Sequence, residues 1–231
     1  MRIVAGVVLI LGLATTAAAQ PRGEGRAGRP HNDYADPSAV IAADLALSRI
    51  AREKGEREAL RKLAATNAVL FAPRAVAADA WLKRQAPPAA PTRWQARSVW
   101  LSCDGGYAVS RGAWTRGDAS GDYLAVWQRQ KKGDWKWLVR DEAPASDLGA
   151  PPEMISGRVA ECAGLARRRS EPESDPLPLA AANADSRDHS LKWSFQVDPQ
   201  CGRSIAVEVW NGTAYDAVVT LRRDPPAGAC G

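Results

Sequence analysis

Two carboxylates have sequence surroundings suited to acid–base chemistry, Asp44 and Asp141. A general base works near neutrality only if its pKa is moved upward, and burial among apolar groups does that to a carboxylate. Asp44 stands beside Leu45 and one turn after Ile41, so on a helix it can point inward. The same spacing allows a solvent-facing carboxylate paired with Arg49 or Arg52. Asp141 ends a strand-like run rich in Trp and Val, where it can be an acid–base group, a cap or an ion-pair partner. The only histidines, His31 and His189, lie in polar, loop-like stretches and read as solvated surface groups. Neither is placed for a Ser-His-Asp or Cys-His arrangement, and no H-E-x-x-H or phosphate-cradling glycine loop occurs. These residues call for no cofactor.

The aromatic content is inverted: nine Trp against two Phe, with six of the nine between Trp94 and Trp137. Trp94, Trp114, Trp127 and Tyr123 can line a pocket and stack on a flat apolar or sugar-like ligand. The plainer alternative is that they fill a core. Four cysteines, Cys103, Cys162, Cys201 and Cys230, are an even number without C-x-x-C spacing, which favours two disulfides over a metal site. Four cysteines allow three pairings.

The elements that must position these groups come after a leader. Arg2, the apolar run Ile3–Leu13 and the small residues Ala17-Ala18-Ala19 have the order of a cleavable signal peptide over residues 1–19. That run is near half of the about 20 residues a transmembrane helix requires, so no stable membrane insertion is expected after cleavage. The reading is an exported chain, periplasmic or secreted, in an oxidising compartment. Net charge is +5, but basic and acidic residues are interspersed, which argues against nucleic acid as a partner.

Residues 20–35 are rich in Pro, Gly and Arg and read as a disordered leader. Asp36-Pro37 then supplies a cap and a first-turn proline for a helix that Gly55 ends. A second helix is expected over Glu56–Thr66, a short strand over Ala68–Phe71 and a helical piece over Ala75–Gln85. From Thr92 to Glu142 the chain becomes a meander: Arg97–Cys103, Tyr107–Arg116, Asp122–Lys131 and Trp135–Asp141. Period-two alternation in Trp135, Trp137 and Val139 places those three on one face. Glu153–Leu165 has helical spacing, Arg167–Ala184 reads as a charged linker, and its Arg167-Arg168-Arg169 run as a solvated tether. Residues 185–231 read as three strands, with Asn211-Gly212 as a hairpin turn. In such a meander the loop holding Cys201 and the end of the third strand, before Cys230, share an edge. That selects Cys201–Cys230 and leaves Cys103–Cys162.

Fragments of the middle region resemble the SnoaL-like, nuclear-transport-factor-two-like superfamily: Lys54-Gly55-Glu56-Arg57, Asn67-Ala68-Val69-Leu70-Phe71-Ala72-Pro73, Ser110-Arg111-Gly112-Ala113-Trp114, and the hairpin from Tyr123-Leu124-Ala125-Val126-Trp127 to Asp134–Asp141. The resemblance spans about residues 36–142. It implies an α+β fold, a cone-shaped curved antiparallel sheet packed on N-terminal helices, followed here by a small C-terminal β-meander extension. The domain order would be a cone domain over 36–150, a helix and linker over 151–184, and a β extension over 185–231. The superfamily includes isomerases, cyclases, dehydratases and members without known catalysis, and its members often dimerise through the sheet's outer face. Isomerase-type members use a tyrosine and carboxylates projecting into the cone. This chain has Leu45 and Ile50 but no tyrosine on its first helix, Asn67 at an acidic position, and Asp141 at an acidic position of the final strand.

Two functions are expected on these grounds. One is a non-catalytic exported protein that binds a small apolar ligand or a partner, with a homodimer allowed. The other is a cofactor-free isomerase, dehydratase or cyclase-like enzyme using Asp44 or Asp141 as its base.

Overall fold

A computed structural model describes residues 35–88, 90–145, 149–165, 171–172, 174–225 and 230. The signal segment, the leader up to residue 34 and the arginine run at 167–169 lie outside the described residues.

The first helix, α1 (Pro37–Lys54), starts where Asp36 accepts a hydrogen bond from the Ser38 amide at 2.9 Å, with Pro37 in its first turn. One face buries Val40, Leu47, Ile50 and Ala51 together with the polar Asp44 and Ser48. Gly55, at φ +91°, breaks the chain before α2 (Glu56–Leu63). The next strand, β1 (Ala64–Phe71), begins earlier than its apolar run suggests and takes the residues expected to end α2. Residues 75–82 divide into β2 (Ala75–Ala77) and the short helix α3 (Ala78–Leu82), where Trp81 and Leu82 lie.

The meander is β3 (Thr92–Leu101), β4 (Tyr107–Arg116), β5 (Ala119–Arg129) and β6 (Trp135–Pro144), all antiparallel. With β1, β2 and β7 (Ser156–Val159) it forms a seven-stranded sheet in the order β2-β1-β6-β5-β4-β3-β7. Close strand packing fixes Gly121: a Cβ there would lie 2.1 Å from the Ala143 carbonyl and 2.5 Å from the Trp114 ring.

Two expectations are corrected. The segment 153–165 is not a helix: Ser156–Val159 pairs in parallel with Ser98–Leu101, and the Cys103–Cys162 disulfide anchors the chain just beyond that strand. Ile155, Val159 and Cys162 have helical spacing, but an available sheet edge and a covalent tie outweigh that weak preference. The C-terminal unit has four strands rather than three, because β8 (Ala181–Asp185) lies in the stretch read as linker. Ala-Ala-Asn-Ala-Asp carries no β-branched or aromatic residue, and only Ala182 is buried, so the run sends no strand signal.

That second sheet runs β11-β10-β9-β8, with β9 (Leu191–Val197), β10 (Arg203–Trp210) and β11 (Tyr215–Arg223). Its inward residues alternate cleanly: Leu191, Trp193 and Phe195, then Ile205, Val207 and Val209, then Val219 and Leu221 are buried. They share one hydrophobic cluster with the larger sheet. Phe195 meets Phe71 edge-to-face at 5.3 Å, and the Cys103 amide donates to Ser190 Oγ at 2.8 Å. Cys103 joins Cys162 and Cys201 joins Cys230, with Cα separations of 5.5 and 6.1 Å. Among the described residues no helix is long and apolar enough to cross a membrane.

Candidate functional site

The larger sheet has two faces with different chemistry. Its inner face meets α1. There Asp44 is 1% exposed and accepts two hydroxyl hydrogen bonds, from Ser110 at 2.6 Å and from Tyr123 at 2.8 Å. Trp127 Nε1 donates to the same Ser110 oxygen at 2.8 Å. Tyr123, Ser110 and Trp127 are completely buried. Burial raises the Asp44 pKa against the lowering influence of Ser110, the Arg140 charge and Tyr123. Burial and the neighbouring Asp44 push the Tyr123 phenol well above its ordinary value.

Toward the rim, Arg140 lies with its guanidinium 4.7 Å from the Trp94 ring and 4.8 Å from the Tyr123 ring. Arg140 Nε and Trp94 Nε1 both donate to Glu142 Oε1, at 2.9 and 2.8 Å. The two terminal nitrogens of Arg140 are buried and have no hydrogen-bond acceptor among the described residues. Glu142 also titrates high, chiefly from burial, with Arg140 opposing and the Glu56 charge adding to the rise. At the rim Arg116 ties α2 to the sheet: it donates to Glu56 at 3.0 and 3.1 Å and to Thr92 at 2.6 Å. Thr92 in turn donates to Glu56.

Each residue singled out in the sequence has a definite place. Asp44, Trp94, Trp127 and Tyr123 converge on this inner network. Trp114 is buried, donates to the Asp122 carbonyl at 3.2 Å and has Arg116 over its ring at 5.3 Å. Asp141 is on the other side of the sheet and is not brought together with Asp44. It is fully buried between the sheets, bound by Arg203 at 2.5 Å and Arg223 at 3.1 Å. Arg223 also pairs with Asp122 at 2.7 Å. The helix-face alternative for Asp44 is set aside, since its partners are Ser110 and Tyr123 rather than Arg49 or Arg52.

The residues that sequence reasoning missed are Arg140, Glu142 and Ser110. For Arg140 and Glu142 the cause is a bulge. Val126 pairs with Val139, but Trp127 pairs with Trp137, which leaves Leu138 as an extra residue in β6. Counting by twos from Trp137 places Val139 and Asp141 inside, whereas the bulge moves Arg140 and Glu142 there instead. A signal did exist: two opposite charges at i and i+2, directly after the apolar run Trp137-Leu138-Val139.

A separate shallow groove of about 440 Å³ crosses the solvent side of α1, lined by Leu45, Ala46, Arg49, Arg52 and Trp94. Trp94 therefore has the groove on one side and Arg140 on the other.

No protein-family model matches the chain, and no curated protein matches it in sequence. Similar solved structures include a ketosteroid isomerase-like protein from Erwinia carotovora atroseptica SCRI1043, at 15% identity and TM-score 0.36, covering 48% of this chain and 96% of that one. ActVI-ORFA from Streptomyces coelicolor aligns at 12% identity and TM-score 0.37, covering 48% and 97%. An NTF-2 like protein of unknown function from Burkholderia xenovorans LB400 aligns at 11% identity and TM-score 0.34, covering 49% and 88%. The chain is an α+β protein whose neighbours among solved structures are ketosteroid isomerase-like and NTF-2 like proteins, each aligned with about half of this chain.

Proposed function

We infer that the chain is an exported, non-catalytic protein that binds a small ligand or a partner, built on a cone closed by its own side chains. The observation that carries this reading is the state of Asp44. Both of its oxygens accept hydroxyl hydrogen bonds and it is 1% exposed, so a substrate proton has no route to it. A general base must come within hydrogen-bond reach of the proton it removes. The Trp and Tyr residues that could have lined a pocket are buried, with Trp94 also bordering the groove over α1. Export is supported by the signal-like leader and by two disulfides, which persist in oxidising compartments.

The test is a thermal-shift panel of apolar, aromatic and carboxylate-bearing small molecules, followed by chemical analysis of each ligand after long incubation. A ligand that binds the folded state raises stability by about 2.7 kcal/mol at a hundredfold excess over its Kd. The expected result is a stabilising ligand recovered unchanged. A compound converted by the protein, with conversion lost in Asp44→Asn, overturns the non-catalytic reading. For export, N-terminal sequencing of the recovered protein should start at Gln20; a cytosolic chain starting at Met1 overturns it.

The second reading, a cofactor-free isomerase, dehydratase or cyclase-like enzyme, is favoured by one observation: a high-titrating carboxylate beside a phenol and a buried guanidinium. It requires the cone to open.

A further inference from the structure

With its cone closed, this protein has to hold a ligand outside the cone, and the outer face of the larger sheet carries a cavity. In the strand register Ser98 lies opposite Arg111, and Arg111 lies opposite Leu124. Trp100 is two residues from Ser98 and Asp122 is two from Leu124, so Ser98, Trp100, Arg111 and Asp122 share one face. It is the face of Asp141, which pairs with Leu124. These four residues border a cavity of about 360 Å³, together with Val218 of the edge strand β11. Val218 is the unpaired residue of a bulge, since Val219 pairs with Val207 but Ala217 with Glu208. Small-ligand pockets commonly span about 300–1,000 Å³, and a volume near the lower end fits a single ring.

Arg111 is the lining group with unused capacity. Its side chain is 44% exposed and stands 3.7 Å from Asp122 Oδ2, beyond hydrogen-bond reach. Arg223 already engages that oxygen at 2.7 Å, and Arg223 and Arg203 both bind Asp141. Asp122 and Asp141 thus face three guanidinium groups. Arg97, at the same cavity, adds a fourth cation and donates to the Gly149 carbonyl at 3.0 Å. The surplus of positive charge calls for an anion. Half-buried Trp100 offers it an apolar plane, and the Ser98 hydroxyl beside that plane calls for a ring that carries polar groups.

We propose that this cavity binds a monosaccharide carboxylate, a uronic acid. The carboxylate pairs with the guanidinium of Arg111, the C–H face of the sugar lies on the Trp100 indole, and a ring hydroxyl bonds Ser98 Oγ. Asp122, its charge met by Arg223, does not repel the ligand. The proposal rests on the ligand-binding reading above and adds the site and the ligand class.

The probes are D-glucuronate, D-glucose and benzoate, titrated into the oxidised protein by calorimetry and followed by tryptophan fluorescence. Glucuronate should bind and change the fluorescence. Glucose, which lacks the charge, should be weaker by about tenfold or more, the factor a charged hydrogen bond supplies. Benzoate, which lacks the hydroxyls, should also be weaker. Arg111→Gln should bring glucuronate to the level of glucose with the melting temperature unchanged. Trp100→Leu should weaken both sugars and remove the fluorescence change; if it does not fold, Arg111→Gln decides alone. Arg49→Gln, on α1 at the opposite face of the sheet, should have no effect. Equal binding of glucuronate and glucose, benzoate as tight as glucuronate, or glucuronate binding that Arg111→Gln spares or Arg49→Gln weakens equally, overturns the proposal. A ligand from the thermal-shift panel that binds parent and Arg111→Gln alike, with glucuronate silent, overturns the site and leaves the ligand-binding reading in place. Silence from glucuronate and the whole panel overturns both.

Discussion

The Tyr123 hydroxyl, on the fifth strand, donates to Asp44 of the first helix from 2.8 Å, and neither residue meets solvent. The bond joins the two layers that enclose the interior. It also occupies one of the two carboxylates that sequence position marked as candidate bases. Tyr123→Phe removes a donor and leaves a buried carboxylate oxygen unsatisfied, which costs about 1–3 kcal/mol. Urea denaturation should show a lower midpoint with an unchanged slope. A variant as stable as the parent would mean that this hydrogen bond adds nothing.

Acid titration gives a second test, with its sign fixed by linkage. Asp44 and Glu142 hold their protons more tightly when folded than the ordinary values of 3.8 and 4.5, so the native state binds more protons than the unfolded one. Their contribution to stability is therefore greatest at low pH and declines as pH climbs from those values through the folded ones. Asp44→Asn mimics the neutral carboxyl. Its stability deficit relative to the parent should shrink from pH 4 toward pH 8, measured by denaturant melts across the range. A deficit that grows with pH would contradict the upward shift.

Asp141 offers a contrasting case. Buried and held by Arg203 and Arg223, it pairs with two guanidinium groups at the junction of the sheets, and Asp122 supplies the second negative charge through Arg223. Breaking a buried pair by removing one partner typically costs about 3–5 kcal/mol, because the remaining charge is stranded. Asp141→Ala should lose stability on that scale and expose the C-terminal strands to protease. A loss no greater than that of a surface substitution would show that water reaches the arginines.

How much of the molecule was legible in sequence depends on which residues are asked about. The cap at Asp36, the break at Gly55 and strands such as Tyr107–Arg116 were readable, because capping, positive φ and alternation are local signals. Strand β7 was not, since its pairing partner lies more than fifty residues away at Ser98–Leu101. Nor was β8, whose small residues become a strand only beside β9. The site was half legible. Asp44 followed the helical spacing and Tyr123 the strand alternation, whereas Arg140 was hidden by the bulge at Leu138, a register shift that only the neighbouring strand reveals.

The disulfides give a fourth prediction. In the chain-entropy model, the bridge closing the 59-residue separation constrains the unfolded chain by about 4 kcal/mol, slightly more than the bridge closing 29. Replacing Cys103 and Cys162 by Ser should therefore lower the melting temperature more than replacing Cys201 and Cys230. The reverse order, measured by calorimetry, would show that folded-state contacts outweigh loop length.

The covering of the larger sheet's outer face by β8 to β11 has a consequence for behaviour on dilution. Arg223 binds Asp122 and Asp141, Arg203 binds Asp141 and Phe195 packs against Phe71, while Val218 borders a pocket with Trp100 and Arg111. A second subunit resting there would leave as the solution is diluted, because its occupancy follows its concentration. A cover carried on the same chain has a local concentration set by its tether alone. For this protein the cover stays with that face at nanomolar and at millimolar levels alike.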